Sequence, residues 1–185
     1  EYGSGGSTYL VCCKENINKI YAVESNTQWI DTILSHKVCY NRKENNKLII
    51  KFYQIKKNPK QNILANHLKL DENQVFKLQW EKYSQSISEL TQKELDSIDF
   101  VLVDGRFRVA CCLMAINYVN NDCKIAIHDY YFSGKSCNRY KTYCVVEKYL
   151  DKIEETEQLV IFKKKQNINL DELLKDYNLF KHNTL

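Results

Sequence analysis

The chain has 185 residues, of which 44% are hydrophobic, and this is enough for one domain with its own core and excludes a disordered chain. The formal net charge of +4, from 27 basic and 23 acidic side chains, is too small and too dispersed to indicate a nucleic-acid-binding surface. No apolar run is long enough to cross a bilayer and no charged-then-apolar leader opens the chain, which predicts a soluble protein without a membrane span.

The first eight residues, EYGSGGST, form a glycine-rich turn directly before a predicted helix. Such a turn lets a ligand approach bare backbone N–H groups, and the helix N-terminus adds partial positive charge. Because the chain begins on the residue that should close a first strand, we expect that strand to be truncated and the chain to be excised from a longer one. The candidate cofactor-binding residues here are Glu1, Gly3, Ser4, Gly5, Gly6 and Ser7.

Residues 19–24 (KIYAVE) predict a buried strand that ends in a carboxylate, Glu24. In a doubly wound sheet this acid lies beside the glycine-rich turn and accepts both hydroxyls of a ribose, so the pair predicts a nucleoside-containing cofactor. The dinucleotide fingerprint requires a third glycine at the position that Thr8 occupies. A nicotinamide-dependent oxidoreductase is therefore disfavoured, although it stays as an alternative.

The middle of the chain carries a predicted helix over residues 26–38 and a predicted strand over 47–55. Residues 61–94 have no single periodicity apart from a helix face that includes Trp80 and Tyr83. The eight cysteines show no C-x-x-C spacing and the four histidines are scattered, so no zinc site is expected. The cysteines are predicted to be small core residues in a reducing compartment, which indicates the cytoplasm.

Two later strands end in polar side chains. Residues 98–104 predict a buried strand that closes on Asp104, and residues 123–127 predict the next, followed by His128 and Asp129. The carboxyl ends of parallel strands form the ligand crevice, so Asp104, His128 and Asp129 are the candidate catalytic residues, and Asp104 is also a candidate cofactor contact. The candidate substrate-binding residues around them are Arg106, Arg108, Tyr130 and Arg139.

The end of the chain predicts a helix with an apolar side over residues 143–153, a strand over 159–165 paired with 153–157, and a last helix capped by Asn169. Alternating strands and helices predict an α/β, Rossmann-like three-layer sandwich in one domain, residues 1–185. The predicted sheet is mostly parallel, with a terminal antiparallel strand.

The runs EYGSGGST, VES, LVDGRFRVACCLMAI and IHDYY resemble class I S-adenosylmethionine-dependent methyltransferases, in particular an uncharacterised group found among glycan-assembly proteins. The resemblance covers nearly the whole chain. It implies S-adenosylmethionine as the cofactor, with Glu1 orienting its methionine part, the glycines admitting it and Glu24 holding its ribose. It also implies O-methylation of a small-molecule sugar or glycan acceptor, and fusion to or association with glycosyltransferase domains.

A more distant resemblance is to the macrocin type of sugar O-methyltransferases, in which acids of an IDG-type and a DDY-type motif bind a divalent cation. The matching positions are Asp104 and Asp129, with His128 in place of the first acid of the second motif and Arg106 in place of a further acid. In one mechanism Asp104 and Asp129 hold Mg²⁺, which lowers the pKa of the acceptor hydroxyl.

In the other mechanism His128 or Asp129 is a general base, and Arg106 or Arg108 positions an acidic or phosphorylated acceptor. The replacement of an acid by histidine and arginine favours this second mechanism. A further alternative is not an enzyme at all but a non-catalytic nucleotide- or glycan-binding module of a larger glycan-assembly protein.

Overall fold

The computed structural model describes residues 1–55, 72–131 and 142–183, and for residues 72–76 it describes the backbone alone. Two compact units are formed. We call Ser4–Tyr83 the amino-terminal unit, and Glu1–Gly3 together with Ser84–Leu185 the carboxy-terminal unit.

The amino-terminal unit contains one pair of parallel strands. Strand β1 (Ile20–Glu24) pairs with β2 (Leu48–Phe52), residue by residue from Ile20 opposite Leu48 to Glu24 opposite Phe52. Its helices in the described residues are α1 (Gly6–Cys12), α2 (Thr27–Ser35), α3 (Lys37–Glu44) and the greater part of α4 (Glu72–Gln85). The core that joins the strands to α1, α2 and α3 consists of Cys12, Ile20, Ala22, Ile33, Cys39 and Leu48.

The carboxy-terminal unit contains four strands in the order β3-β4-β6-β5. Strands β3 (Phe100–Val103) and β4 (Lys124–His128) are parallel, β6 (Leu159–Lys164) is antiparallel to β4, and β5 (Leu150–Glu155) is antiparallel to β6. Tyr2 forms an isolated parallel bridge with Val103. The helices whose full length lies in the described residues are α5 (Gln92–Asp96), α6 (Arg108–Tyr118) and α7 (Leu170–Phe180), with short 3₁₀ turns at Ser86–Glu89 and Cys144–Lys148.

Helix α6 is the centre of this unit, because every residue from Val109 to Ile116 is buried. A helix that is apolar on all sides is stable only inside a core. Its burial fixes its first residue, Arg108, at the end of β3, where the candidate catalytic residues lie.

The mixed α/β, Rossmann-like fold predicted from the sequence is confirmed, with parallel pairs inside each unit and a terminal antiparallel strand. The predicted helix over residues 143–153 is wrong. Tyr143 and Val146 are buried in and beside a 3₁₀ turn, and Leu150 opens strand β5, which pairs with β6. Local helical spacing is here overridden by pairing with a strand later in the chain.

All seven cysteines within the described ranges are free thiols, and Cys12, Cys39, Cys111, Cys112 and Cys123 are buried, as predicted for core residues. Burial raises the pKa of Cys123 to about 12, so its reactive thiolate form is scarce. Among the helices of the described segments, none has the length and apolar character that crossing a bilayer requires.

Candidate functional site

The glycine-rich turn of the amino-terminal unit is tied to the end of β1 by the carboxylate of Glu24. The Oε2 atom of Glu24 accepts hydrogen bonds from the Ser4 N–H at 2.8 Å and the Ser4 hydroxyl at 3.0 Å. Its Oε1 atom accepts from the N–H groups of Ser25 at 2.6 Å and Asn26 at 2.8 Å. The structure therefore brings Glu24 and the turn together, as the sequence predicts.

These contacts use nearly all of the hydrogen-bond-accepting capacity of the Glu24 carboxylate. Glu24 is 5% exposed, and a carboxylate offers about four lone-pair positions. Three are taken by backbone N–H groups and another by the Ser4 hydroxyl, while the Ser25 hydroxyl lies 3.5 Å from Oε1. A serine hydroxyl can rotate away and a backbone N–H cannot, so a ribose hydroxyl has room on Glu24 only in place of a serine hydroxyl.

The glycines of the turn have different structural roles. Gly3, in the carboxy-terminal unit, has φ +89, and an added Cβ would lie 2.5 Å from the Cα and the nitrogen of Gly105. Glycine is therefore required at position 3 by its positive φ and by the close approach of Gly105. A Cβ added to Gly5 or Gly6, in the amino-terminal unit, would meet nothing within 4 Å, so their backbone lies next to open space.

Thr8, at the position of the missing third glycine, closes the turn from inside. It is fully buried, and its hydroxyl accepts a hydrogen bond from the Gly5 N–H at 3.0 Å. Helix α1 begins at Gly6 with Gly5 as its N-cap, so Ser7 lies in the first turn of the helix. Ser7 itself is partly buried, and so is Glu1, which precedes the Tyr2 bridge in the carboxy-terminal unit.

The three predicted catalytic residues meet at the carboxyl ends of β3 and β4. Asp104 follows β3, His128 is the last residue of β4, and Asp129 comes next. The His128 Nδ1 atom lies 3.0 Å from Asp104 Oδ1 and 3.4 Å from Asp129 Oδ1. We call these side chains the Asp104–His128–Asp129 cluster.

Arg108, which is a predicted acceptor contact, lies against both carboxylates of this cluster. Its Nη1 lies 3.2 Å from Asp129 Oδ2 and its Nη2 lies 3.3 Å from Asp104 Oδ1. Its Nε donates to the Gly105 carbonyl at 3.1 Å, and Nη1 also donates to the carbonyl of His128. With the side chain 13% exposed, the guanidinium has little surface left for an acceptor.

Two left-handed backbone positions bring these groups together. Phe107 has φ 53 and Asp129 has φ 55. At a bulky residue such as Phe107 this conformation costs about 1 to 3 kcal/mol, which packing must offset, and Phe107 is fully buried. The bend at Phe107 lies directly before Arg108, and the bend at Asp129 directly after β4.

The other predicted acceptor contacts differ in their exposure. The Tyr130 side chain is fully buried, and its hydroxyl donates to Glu147 Oε1 at 2.6 Å, so it has no surface to offer an acceptor. Arg106 is exposed in the turn after β3. Arg139 lies outside the described residues.

The sequence gives no sign of a second network, which fixes the chain after Asp129. Lys152 on β5 lies 3.0 Å from Glu147 Oε1 and donates to the Tyr131 hydroxyl at 2.8 Å. Burial alone would lower the pKa of Lys152, but its hydrogen bonds to Tyr131 and Glu147 outweigh burial and raise that pKa. Lys152 therefore stays charged and holds residues 130 and 131 against β5.

The cluster fits a divalent cation. One ligand atom from each of Asp104, His128 and Asp129 lies within 4.8 Å of the others. The His128 Nδ1 atom is buried and has no hydrogen-bond partner among the residues described, although carboxylate oxygens of Asp104 and Asp129 lie 3.0 and 3.4 Å away. Ligands at roughly 2.0–2.2 Å from one ion lie about 3 Å apart, close to the separations seen here.

No family model matches this sequence, and no curated protein matches it. Among solved structures, the crystal structure of a methyltransferase-like protein from Silicibacter pomeroyi is similar over 95% of this chain and 84% of its own, with 20% sequence identity and a TM-score of 0.61. At this identity the likeness is one of fold. The chain thus has an α/β Rossmann-like fold. A methyltransferase-like protein is one solved example of a similar fold.

Proposed function

We infer that the protein is an S-adenosylmethionine-dependent methyltransferase that transfers the methyl group to a hydroxyl of a sugar or glycan. The observation that carries this proposal is the convergence of Asp104, His128 and Asp129 at the ends of two adjacent parallel strands. In open α/β sheets that edge is where ligands bind. The similar fold of a methyltransferase-like protein supports the same class of reaction.

On the cofactor side, the amino-terminal unit offers two features to a nucleoside. Gly5 and Gly6 present backbone next to open space, and Glu24 has a carboxylate that serine hydroxyls can vacate. When bound, S-adenosylmethionine supplies a methyl group on a sulfonium. The role of the chain is to hold it: Ser4, Gly5, Gly6 and Ser7 at the turn, and Glu24 at the ribose.

On the acceptor side, the chain must remove the proton of the hydroxyl that is methylated. Asp104, His128 and Asp129 are the residues that would hold a divalent cation, which lowers the pKa of a hydroxyl bound to it. Without a cation, His128 or Asp129 takes the proton as a general base, an effect worth roughly 10²–10⁴ in rate. Arg106, exposed in the turn after β3, is suited to an acidic or phosphorylated acceptor.

A non-catalytic binding module is the second candidate, and a specific observation favours it. The charged groups of both sites already have partners inside the chain: Glu24 is bound by Ser4, Ser25 and Asn26, and Arg108 pairs with both carboxylates of the cluster. A binding module needs no further reactive group. The oxidoreductase alternative has no comparable support, because a buried Thr8 occupies the position of the third glycine.

The test is calorimetric titration of the full chain with S-adenosylhomocysteine and, separately, with NAD. We expect S-adenosylhomocysteine to bind and NAD not to bind. Transfer of a labelled methyl group to a panel of sugars and glycans, with and without Mg²⁺ or Mn²⁺, then separates enzyme from module. Binding of NAD alone contradicts the proposal, and binding of S-adenosylhomocysteine without transfer to any acceptor supports the module.

A further inference from the structure

We propose that His128 is a metal ligand through Nδ1, and that this nitrogen makes the cluster select a first-row transition ion such as Mn²⁺ over Mg²⁺. The inference rests on the proposed function only in locating the cation at the acceptor site, because metal binding is measurable without methyl transfer. It assigns His128 a role other than that of general base.

The first step is the state of the His128 Nδ1 atom. It is buried and lacks a hydrogen-bond partner in the described part of the chain, although the ring as a whole is 36% exposed. A buried polar atom is nearly always hydrogen-bonded, so an exception needs a physical reason. A lone pair directed at a cation is such a reason, since coordination satisfies the nitrogen without a hydrogen bond.

The second step is the charge around that nitrogen. Two carboxylates, Asp104 and Asp129, approach it, and among the described residues the guanidinium of Arg108 contacts both of them. With a neutral imidazole the group carries a formal charge of about −1, which attracts a cation. Arg108 contacts Oδ2 of Asp129, so Oδ1, the oxygen nearer to His128, is left for a metal. At Asp104 the oxygen nearest His128, Oδ1, also lies 3.3 Å from Arg108 Nη2, so a metal there shares this oxygen with the guanidinium.

The third step is the chemistry of the donor set. Carboxylate oxygens alone suit Mg²⁺ and Ca²⁺, whereas imidazole nitrogen suits transition ions. Mg²⁺ also gives up water reluctantly and prefers oxygen. One nitrogen and two carboxylates therefore favour a first-row divalent ion, and three protein ligands leave positions open for an acceptor oxygen.

The experiment uses the full chain, freed of metal, with Mn²⁺ as the probe, because thiols such as the exposed Cys13 bind Mn²⁺ poorly and would confuse a titration with Zn²⁺. Mn²⁺ binding is followed by electron paramagnetic resonance, and Mg²⁺ is added as the competitor. We expect Mn²⁺ to bind at least about tenfold more tightly than Mg²⁺. Pulsed spectra should show coupling to a directly bound ¹⁴N nucleus, and labelling with ¹⁵N-histidine should replace it.

The matched variant is His128→Asp, which makes the donor set all oxygen. We expect it to lose the nitrogen coupling and to reduce the preference for Mn²⁺ over Mg²⁺ by about tenfold. The control is His36→Gln, at the exposed N-cap position directly before α3, which should leave both readouts unchanged. If His128→Asp does not fold, the isotope experiment on the unmodified sequence still decides the matter.

Two results would overturn the inference: wild-type protein that binds no Mn²⁺ at millimolar concentration, or bound Mn²⁺ without coupling to histidine nitrogen. Its failure is separable from that of the proposed function. If S-adenosylhomocysteine binds but Mn²⁺ does not, only the metal inference falls. If Mn²⁺ binds with nitrogen coupling but S-adenosylhomocysteine does not, the methyltransferase proposal falls instead.

Discussion

Replacing Glu24 by alanine tests whether this buried carboxylate holds the glycine-rich turn. The change removes the acceptor of three backbone N–H groups, those of Ser4, Ser25 and Asn26. Each N–H left without its charged acceptor costs about 1 to 2 kcal/mol, so the three together lower the free energy of unfolding by about 3 to 6 kcal/mol. This loss is a large part of the free energy of unfolding of a typical domain, which is roughly 5–15 kcal/mol.

Urea unfolding of the full chain, followed by circular dichroism, measures this loss without any ligand. Glu24→Gln keeps one acceptor oxygen and should lose less. Glu15→Ala, at an exposed position after α1, should change stability by no more than about 0.5 kcal/mol. In folded Glu24→Ala protein, we expect S-adenosylhomocysteine to bind about 1.5 to 3 kcal/mol more weakly.

The two readouts can fail separately. If the free energy of unfolding of Glu24→Ala lies within about 1 kcal/mol of the wild-type value, the hydrogen bonds to Glu24 do not stabilise the turn, which refutes this prediction. If stability falls as expected but the affinity for S-adenosylhomocysteine is unchanged, Glu24 is a structural residue and the ribose is bound elsewhere.

Gly3→Ala should lower the free energy of unfolding in urea by roughly several kcal/mol, because Gly3 has φ +89 and an added Cβ would lie 2.5 Å from the backbone of Gly105. Gly6→Ala should leave the stability unchanged or slightly raised, because an added Cβ there meets nothing within 4 Å. Equal stability of the two variants would contradict this. Burial raises the pKa of Asp176, but hydrogen bonds from Lys148 and Tyr149 outweigh it and hold that pKa below its ordinary 3.8. Asp176 therefore stabilises the fold above about pH 4, and this contribution is lost as the pH falls through the lowered value. Unfolding measured from pH 6 to pH 2 should show a steeper loss in the wild type than in Asp176→Asn, and parallel curves would contradict the assignment.

The fold could be predicted from the sequence where a strand is buried on both faces. Residues 100–103 and 124–128 read as nearly continuous apolar runs, which is typical of parallel strands covered by helices. The segment 143–153 could not be predicted in the same way. Strand β5 is mostly exposed and charged after Leu150, as an edge strand often is, and its pairing with β6 is not visible in local periodicity.

The candidate site could likewise be predicted from the sequence only in part. The meeting of Asp104, His128 and Asp129 follows from one general rule, that parallel strands present their carboxyl ends at one edge. The orientation of Arg108 toward these carboxylates depends on a left-handed backbone at Phe107, which no sequence pattern indicates for a phenylalanine. The second network needs contacts between Tyr131, Glu147 and Lys152, on three separate parts of the chain, and only the folded structure reveals them.

The two mechanisms for the acceptor proton make opposite demands on His128. As a metal ligand, His128 gives its Nδ1 lone pair to a cation and is not the proton acceptor. As a general base, it must keep a lone pair free for the acceptor hydroxyl. The Nδ1 atom lies 3.0 and 3.4 Å from two carboxylate oxygens and has no hydrogen-bond partner among the described residues, which favours the ligand role.

Removing metal therefore separates the two mechanisms. With the ligand role we expect EDTA to abolish methyl transfer and added Mn²⁺ to restore it. His128→Asp should then keep substantial activity in Mg²⁺, because an aspartate replaces one ligand with another. With the base role, activity survives EDTA and His128→Asp loses it whichever metal is added. If wild-type activity persists in EDTA, the metal mechanism is contradicted, and His128 or Asp129 acts as the general base.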